Sequence, residues 1–495
     1  MPIRISGFST GLDIDQLVKD LMSVKRQPLN KLNQQKTLIE WKREQYREIS
    51  SKLVDFRNNK LFNYSLTSSL AAKKAVVTGD TSAVLVKASS AAYAGDELTI
   101  HVESLATAHK LENQVTFDAT KTLKELKDDN NNPFDYDGDG TISFKINGKT
   151  IELDEENDTI ATMIQKINKA DAGVTAYIDS ATGYFTIRSK TTGDSSTITI
   201  DDPSELLSNF NLNSTAGSDA IVRINGIQTT RSSNTFTENG VEITLLADNS
   251  DITIRVATDT DKIVELVKNF ISEYNSILDA VNKKLSEARY RDYLPLTSEQ
   301  KDEMSEKEIE LWESKAKSGL LRNDSILTTM INEFRMAMIT NVEVNGNAVN
   351  LTQFGITTGD YTSKGKLVIS DEDKLRAAIE NDLDAFIALF AQNSTDKSAT
   401  AADSGLFRRL YNSAERALDQ LAQKAGVSKF STDPGASFSE NSFMAEELRA
   451  LNNRIIHLAS RLAIIENNYY KQFTAMEKAV SQFSAQSGAL FGFMN

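Results

Sequence analysis

Two heptad-patterned segments, one near each end of the 495-residue chain, constrain the fold more than any other feature of the sequence. Near the C-terminus Leu448, Leu451, Ile455, Leu458, Leu462, Ile465, Tyr469, Gln472, Met476, Ala479 and Phe483 follow at alternating steps of three and four, and Gln472 alone breaks the apolar run. Near the N-terminus Leu32, Ile39, Tyr46 and Leu53 recur every seven residues, with Ile49 and Phe56 on the companion seam. A stripe this regular must be buried against other helices. The most economical partner for one end is the other end. The predicted fold class is α+β multidomain: a discontinuous coiled-coil stalk of N- and C-terminal helices, with antiparallel β modules inserted. That plan suits a structural subunit better than an enzyme.

The chain is too long for one core, so several units are expected. Its net charge of −14 is unevenly spread. Residues 1–60 carry twelve Lys/Arg against seven Asp/Glu, whereas 116–215 carry nine against eighteen. An acidic middle argues against nucleic-acid binding there and for a solvated module. The basic N-terminal helix alternates its cations with Glu40, Glu44 and Glu48, which suits a solvated coil face. No run of about 18 apolar residues occurs, so no membrane insertion is expected. Asp13, Asp15, Lys19 and Asp20 stand where a secretory signal needs apolar residues, so export with a cleaved signal peptide is not expected. There is no cysteine, which excludes disulfides, thiolate metal sites and cysteine nucleophiles.

Along the chain the hydrophobic period changes twice. Asp13 with Gln16 makes a capping box for a short helix carrying Leu17, Val18, Leu21 and Met22 on one face. Pro28 is expected to end it and to start a longer helix to about residue 60. From about 75 to 257, short alternating Val/Ile/Thr-rich runs such as ELTIHVES, TISFKING, IVRING and DITIRVA predict antiparallel strands, with a helix over Thr159 to Lys169. The runs ending Ile146-Asn147-Gly148 and Ile224-Asn225-Gly226 echo each other, and Asn-Gly suits a tight hairpin turn. Helical spacing returns at about 259. Residues 286–318 are highly charged and are expected to form an exposed arm. Helices are expected from Ser325 to Ile339 and from Asp371, the latter continued through Leu383 to Phe390. Residues 392–404 and 428–442 have linker composition, and the last heptad helix starts near Phe443. The predicted domains are a terminal coiled-coil leg (1–42 and 446–495) and a helical stalk with a small β element (43–74 and 259–445). Above these come a β head module (75–115 and 216–258) and a second β module inserted in it (116–215).

Sites for chemistry are few. Asp135, Asp137 and Asp139 alternate in DYDGDGTI as in an EF-hand loop, but Ile146 stands where the bidentate Glu belongs and a strand follows. An acidic turn is the plainer reading, and these three aspartates are only a weak metal candidate. His101, His109 and His457 have no companion at metal spacing. No serine sits in a nucleophile elbow, and Gly138 and Gly140 are flanked by carboxylates that would repel phosphate. Neither a catalytic residue nor a cofactor is predicted.

Several stretches resemble the flagellar hook-associated protein 2 family, which caps bacterial flagellar filaments, in the version found in Gram-positive spore-formers. They include Ser9-Thr10-Gly11-Leu12-Asp13-Ile14-Asp15 through Leu21-Met22, Pro28-Leu29 through Tyr46-Arg47-Glu48-Ile49, and Pro295 to Gln300 through Ser318 to Leu321. Phe354-Gly355-Ile356, Gly365-Lys366-Leu367 and Leu389-Phe390 match its C-terminal half. The segment Thr141 to Ile200 resembles the flagellin/hook IN motif, through Ile146-Asn147-Gly148, Ile167-Asn168, Ala172-Gly173-Val174, Thr182-Gly183 and Thr192-Gly193. Residues 116–140 and 201–215 carry no match.

The resemblance implies a secreted, non-enzymatic protein, exported through the flagellar type III channel to the distal filament tip. There a homo-oligomeric ring would promote flagellin polymerisation and prevent flagellin loss. The implied partners are further copies of the chain, flagellin, hook–filament junction proteins and an export chaperone. The implied assembly seam comprises Leu32, Ile39, Tyr46, Leu53, Leu451, Ile455, Leu458, Leu462, Ile465, Tyr469, Met476 and Phe483. Gln472 would be a polar interruption that keeps the contact exchangeable, and the ends of an isolated monomer, 1–40 and 450–495, would be mobile. The alternatives are a hook–filament junction protein or another axial component, and a tip-displayed adhesin.

Overall fold

The computed structural model describes residues 13–93, 95, 97–115, 121–127 and 140–492. The chain forms two compact units, one of Met1–Leu70 with Thr260–Asn495 and one of Ala71–Asp259. The expected α+β organisation is what is found: helices from both ends share one unit, and antiparallel sheets fill the other.

In the helical unit, helix α1 (Ile14–Asp55) starts on Asp13, whose carboxylate accepts from the Gln16 amide at 2.9 Å. It runs unbroken through Pro28, so the expected interruption does not occur. A proline inside a helix removes the bond to the carbonyl four residues back and costs about 3 kcal/mol. That carbonyl belongs to Val24, which is exposed to water. Ile14, Val18 and Met22 before the proline and Leu29 after it pack into one apolar cluster, so the packing continues across it.

Beyond α1 the helix widens into a π turn, Phe56–Leu61. The stripe Tyr46, Ile49, Leu53, Phe56 would next bury Lys60. The π turn instead steps five residues, from buried Phe56 to buried Leu61. Lys60 is thereby freed to pair with Glu273 at 2.8 Å. After the chain returns, α2 (Thr260–Ser286), α3 (Ser325–Ile339), α4 (Leu406–Ala425) and α5 (Phe443–Gly492) are its long helices.

Helix α4, between the two expected linkers, was not anticipated. Its buried face mixes Leu406, Phe407, Leu410, Leu418 and Leu421 with Arg409, Asn412 and Ser413, which blurs the apolar stripe. Arg409 is fully buried and donates to the carbonyls of Ala337 (3.1 Å), Thr340 (2.6 Å), Asn341 (2.7 Å) and Ala401 (2.8 Å). A guanidinium thus closes the C-terminus of α3, where carbonyls lack helical partners.

Two further expectations are refined. The charged segment 286–318 carries two short helices, Ser298–Asp302 and Glu306–Lys317, and is largely exposed as expected, but it does not stand free. Gln34 donates to the Pro295 carbonyl and Gln45 to the Lys317 carbonyl, each at 2.8 Å, and the Lys317 ammonium lies over the Trp41 ring. These contacts lay the segment along α1, with Trp312 against Tyr293. The helix from Glu372 stops at Asn381. Asp382 breaks it and caps a separate helix, Leu383–Ala391, by accepting from the Ala385 amide at 2.9 Å.

In the β unit, a five-stranded antiparallel sheet runs Lys73–Gly79, Ser250–Thr258, Glu97–Ser104, Ala220–Ile224, Ile227–Arg231. It shares a core with the sheet Thr235–Glu238, Val241–Leu245, Val84–Ala88, built from Ile100, Val102, Val222, Ile243 and Ile254. A second core joins Phe144, Ile160, Met163, Ile167, Phe185 and Phe210 from two smaller sheets and the helix Ile160–Lys169. Strand Lys110–Gln114 belongs to this second core. It pairs with Tyr184–Ser189 and Asn213–Thr215, so the inserted module takes in residues before the expected edge at 116, while Asn213–Thr215 lies within the expected span. An isolated bridge between Thr107 and Ser218 marks where the two modules meet.

The sequence echo is also a structural one. Asn147-Gly148 and Asn225-Gly226 both turn with positive φ, 49° and 76° in the first and 49° and 81° in the second. In each, the Asn carboxamide oxygen accepts from a threonine amide on the neighbouring strand: Thr199 at 2.9 Å for Asn147, Thr99 at 3.0 Å for Asn225.

Candidate assembly face on the terminal helices

Helices α1 and α5 pair antiparallel. Arg26 meets Glu466 at 3.0 Å and Lys36 meets Asn452 at 3.4 Å, so advancing along one helix retreats along the other. Ile14, Val18, Met22 and Leu462 are buried between them, flanked by half-buried Leu29, Leu458, Ile465, Tyr469, Tyr470 and Phe473. The N-terminal face is therefore Ile14, Val18 and Met22 at four-residue steps, whereas Leu21 is 43% exposed.

The structure distributes the twelve expected seam residues unevenly. Leu451 and Leu462 are buried, and Leu32, Ile39, Ile455, Leu458, Ile465 and Tyr469 are half-buried. Tyr46 and Leu53 are buried too, but among the stalk helices rather than in the pair. Met476 and Phe483 are 39% and 70% exposed, and Gln472 is exposed as well. The burial follows the period of a straight helix, not the heptad. Eighteen residues make five turns at 3.6 residues per turn, so Leu451, Ile455 and Leu462 are succeeded on their face by Tyr469, Phe473 and Val480. Phe473 and Val480 are half-buried. Heptad extrapolation missed them because a repeat of seven drifts by about 20° per cycle on an uncoiled helix. The drift turns Met476 and Phe483 outward, and Ile456 and Ile464 also face solvent, 54% and 62% exposed.

At the other end of α1, Tyr46 anchors a polar cluster inside the stalk. Its hydroxyl donates to Asp324 Oδ2 at 2.5 Å, and Lys424 Nζ donates to the same oxygen at 2.9 Å. The other carboxylate oxygen caps α3 through the amides of Ile326 and Leu327. Burial opposes ionisation of Asp324, but the hydrogen bonds from Tyr46, Lys424 and the Leu327 amide outweigh it and hold its carboxyl below the usual range. Burial and the bond to Asp324 together push the Tyr46 hydroxyl upward.

Asp135, Asp137 and Asp139 lie outside the described residues. Among the described residues, no cluster of His, Asp or Glu has the makings of a metal site. His101 faces Asp251 at 2.8 Å. His109 Nδ1 accepts the Ile198 amide at 2.7 Å, while Nε2 faces Ser214 at 2.9 Å. Both are tied into sheets. No described helix is long and apolar enough to cross a membrane.

Residues 217–485 match the family model described as flagellar hook-associated protein 2 C-terminus, and residues 10–109 match its N-terminus counterpart. The chain belongs to the flagellar hook-associated protein 2 family. Residues 143–191 in addition match the flagellin hook IN motif, which covers the middle of the second core of the β unit. The flagellar hook-associated protein 2 of Halalkalibacterium halodurans is 31% identical over 542 aligned residues, spanning 99% of each chain. That of Thermotoga maritima is 29% identical over 418 residues, covering 80% of this chain and 60% of the relative. Among solved structures, the D1-D2-D3 domains of the flagellar cap protein FliD from Escherichia coli share the fold. They match with a TM-score of 0.52 at 21% identity, covering 82% of this chain and 99% of that one.

Proposed function

We propose that the chain is the cap at the distal tip of the flagellar filament, a homo-oligomeric ring that retains flagellin while it folds and joins the growing end. The observation that carries this reading is the 31% identity to a hook-associated protein 2 along 99% of both chains, terminal helices included. The protein acts structurally, by confinement and exchanged contacts, and breaks no bond. The paired helices α1 and α5 are the leg that meets the filament. Their outward apolar residues Ile464, Met476 and Phe483 are the surfaces that neighbouring copies or flagellin cover. Export proceeds through the flagellar channel, assisted by a chaperone, and the first cap sits on the hook–filament junction proteins.

Deleting the gene tests the reading. Cells should become non-motile and release unpolymerised flagellin into the medium, and the intact gene should restore both. Motile cells with full-length filaments would overturn it. Mass photometry of the purified chain, followed by imaging on filament ends, reads out the ring.

A further inference from the structure

We infer that a cavity beside the π turn of the helical unit is a docking pocket for an acidic side chain of a partner protein, with Arg408 as its anchor. The cavity measures about 240 Å³ and is lined by Leu61, Phe62, Ser65, Phe407, Arg408 and Tyr411. Arg408 forms no ion pair among the described residues. Its Nε is buried without an acceptor, and its guanidinium meets only the Tyr411 ring, 5.5 Å away. Arg57 flanks the same ring at 5.6 Å, but it is already committed, donating to Asn58 and to the Lys429 carbonyl at 2.8 Å each. Two guanidiniums therefore stand at one aromatic ring and only one has oxygen partners.

The terminal nitrogens of a guanidinium without an ion pair favour an occupant that supplies acceptors. A carboxylate fits best, because it takes two guanidinium N–H bonds in parallel and neutralises the charge. Further unmet hydrogen bonding lies on the first turns of α4 and just before them. Ser404 and Asn412, four residues to either side of Arg408, are buried and have side chains without partners.

Size decides between a small metabolite and a protein side chain. Small-molecule sites occupy about 300–1,000 Å³, and this cavity is below that range. It suits one inserted side chain. Phe62, 59% exposed at the rim, supplies an aromatic surface for the apolar neighbour of that side chain. The π turn creates this rim, since stepping from Phe56 to Leu61 sets Phe62 outside the apolar stripe.

The test is a titration of the full-length chain followed by the ¹H–¹⁵N resonances of arginine Nε groups. The probe is acetyl-Phe-Glu-amide, with acetyl-Phe-Gln-amide and inorganic phosphate as controls. Arg408→Lys identifies the Arg408 signal by its disappearance. That signal should shift saturably with the Glu peptide and at least about tenfold more weakly with the Gln peptide. Phe62→Ala, a change at an exposed position, should weaken the response several-fold. Equal responses to Glu and Gln, a response to phosphate alone, or none at millimolar peptide would each overturn the assignment.

Discussion

The two halves of α1 carry the same kind of apolar stripe and meet different fates. From Arg43 to Val54 the helix buries Arg43, Tyr46, Ile49, Ser50, Leu53 and Val54. Between Met22 and Arg43 no side chain of α1 is fully buried. The sequence pattern does not cause the difference, since Leu32 and Ile39 stand in the same heptad register as Tyr46 and Leu53. The cause is the number of neighbours. The second half is enclosed by several helices, with Phe56 against Phe334 of α3 and Tyr46 bonded to the residue that caps it. The first half relies chiefly on α5 and on the segment 286–318. A heptad stripe thus specifies which face seeks partners, and the rest of the fold determines how many it finds. If the pair exchanges contacts with a filament, as proposed, it would benefit from remaining half-covered.

The largest effect that tests this contrast is expected in the enclosed half. Phe56→Ala should cost about 3–5 kcal/mol in denaturant unfolding, because neighbours on several sides prevent the cavity from collapsing. A loss under about 1 kcal/mol would mean that the enclosed half is no better packed than the leg.

Asp324→Asn comes next, at about 3 kcal/mol, because it removes one partner of a buried pair and leaves Lys424 and Tyr46 facing an amide. Its pH dependence has a definite sign. The folded carboxyl lies below its unfolded value of about 3.9, so its contribution is fully present above that value and fades as pH falls through the lowered one. The gap between wild type and Asp324→Asn should be constant from about pH 5 to 8 and narrow in stronger acid. A gap unchanged at low pH would remove the ionised carboxylate from the account.

In the leg, Leu462→Ala should act locally. The main unfolding midpoint should barely move, while hydrogen exchange over 14–40 and 450–487 should quicken by about tenfold or more, equivalent to about 1.4 kcal/mol of local opening. Wild type should already exchange faster there than over 43–55. Equal protection of both stretches in a verified monomer would collapse the comparison.

What was legible in the sequence follows the same physics. Strong periodicity with one clean face marked α2, α3, the helix Ile160–Lys169 and the hairpin turns at Asn147 and Asn225. Helix α4 escaped because Arg409, Asn412 and Ser413 occupy buried positions, and no local signal shows that carbonyls of α3 await the Arg409 guanidinium. Pro28 misled for a related reason: the proline rule is local, whereas the packing on both sides of it is tertiary. Arg408 gave no sign at all, since a solitary arginine beside Arg409 looks like an ordinary surface cation. The outer strands Lys110–Gln114 and Ile227–Arg231 are too polar to alternate visibly.

The smallest effect is the most diagnostic for the seam. Heptad counting makes Gln472 a polar flaw in the α1–α5 contact, so Gln472→Leu would be expected to tighten the pair. The structure puts Gln472 on the outward face with Met476 and Phe483, one position away from half-buried Phe473. The leucine should therefore change the stability of a verified monomer by less than about 0.5 kcal/mol, as exposed substitutions do. It should leave hydrogen exchange in both helices unaltered. Its effect should appear only in association, where a fresh apolar side chain extends a stripe that other chains can cover. A tenfold gain in protection of the monomer's helix pair would show instead that the helices supercoil on the 3.5-residue period, bringing Gln472 and Met476 inside.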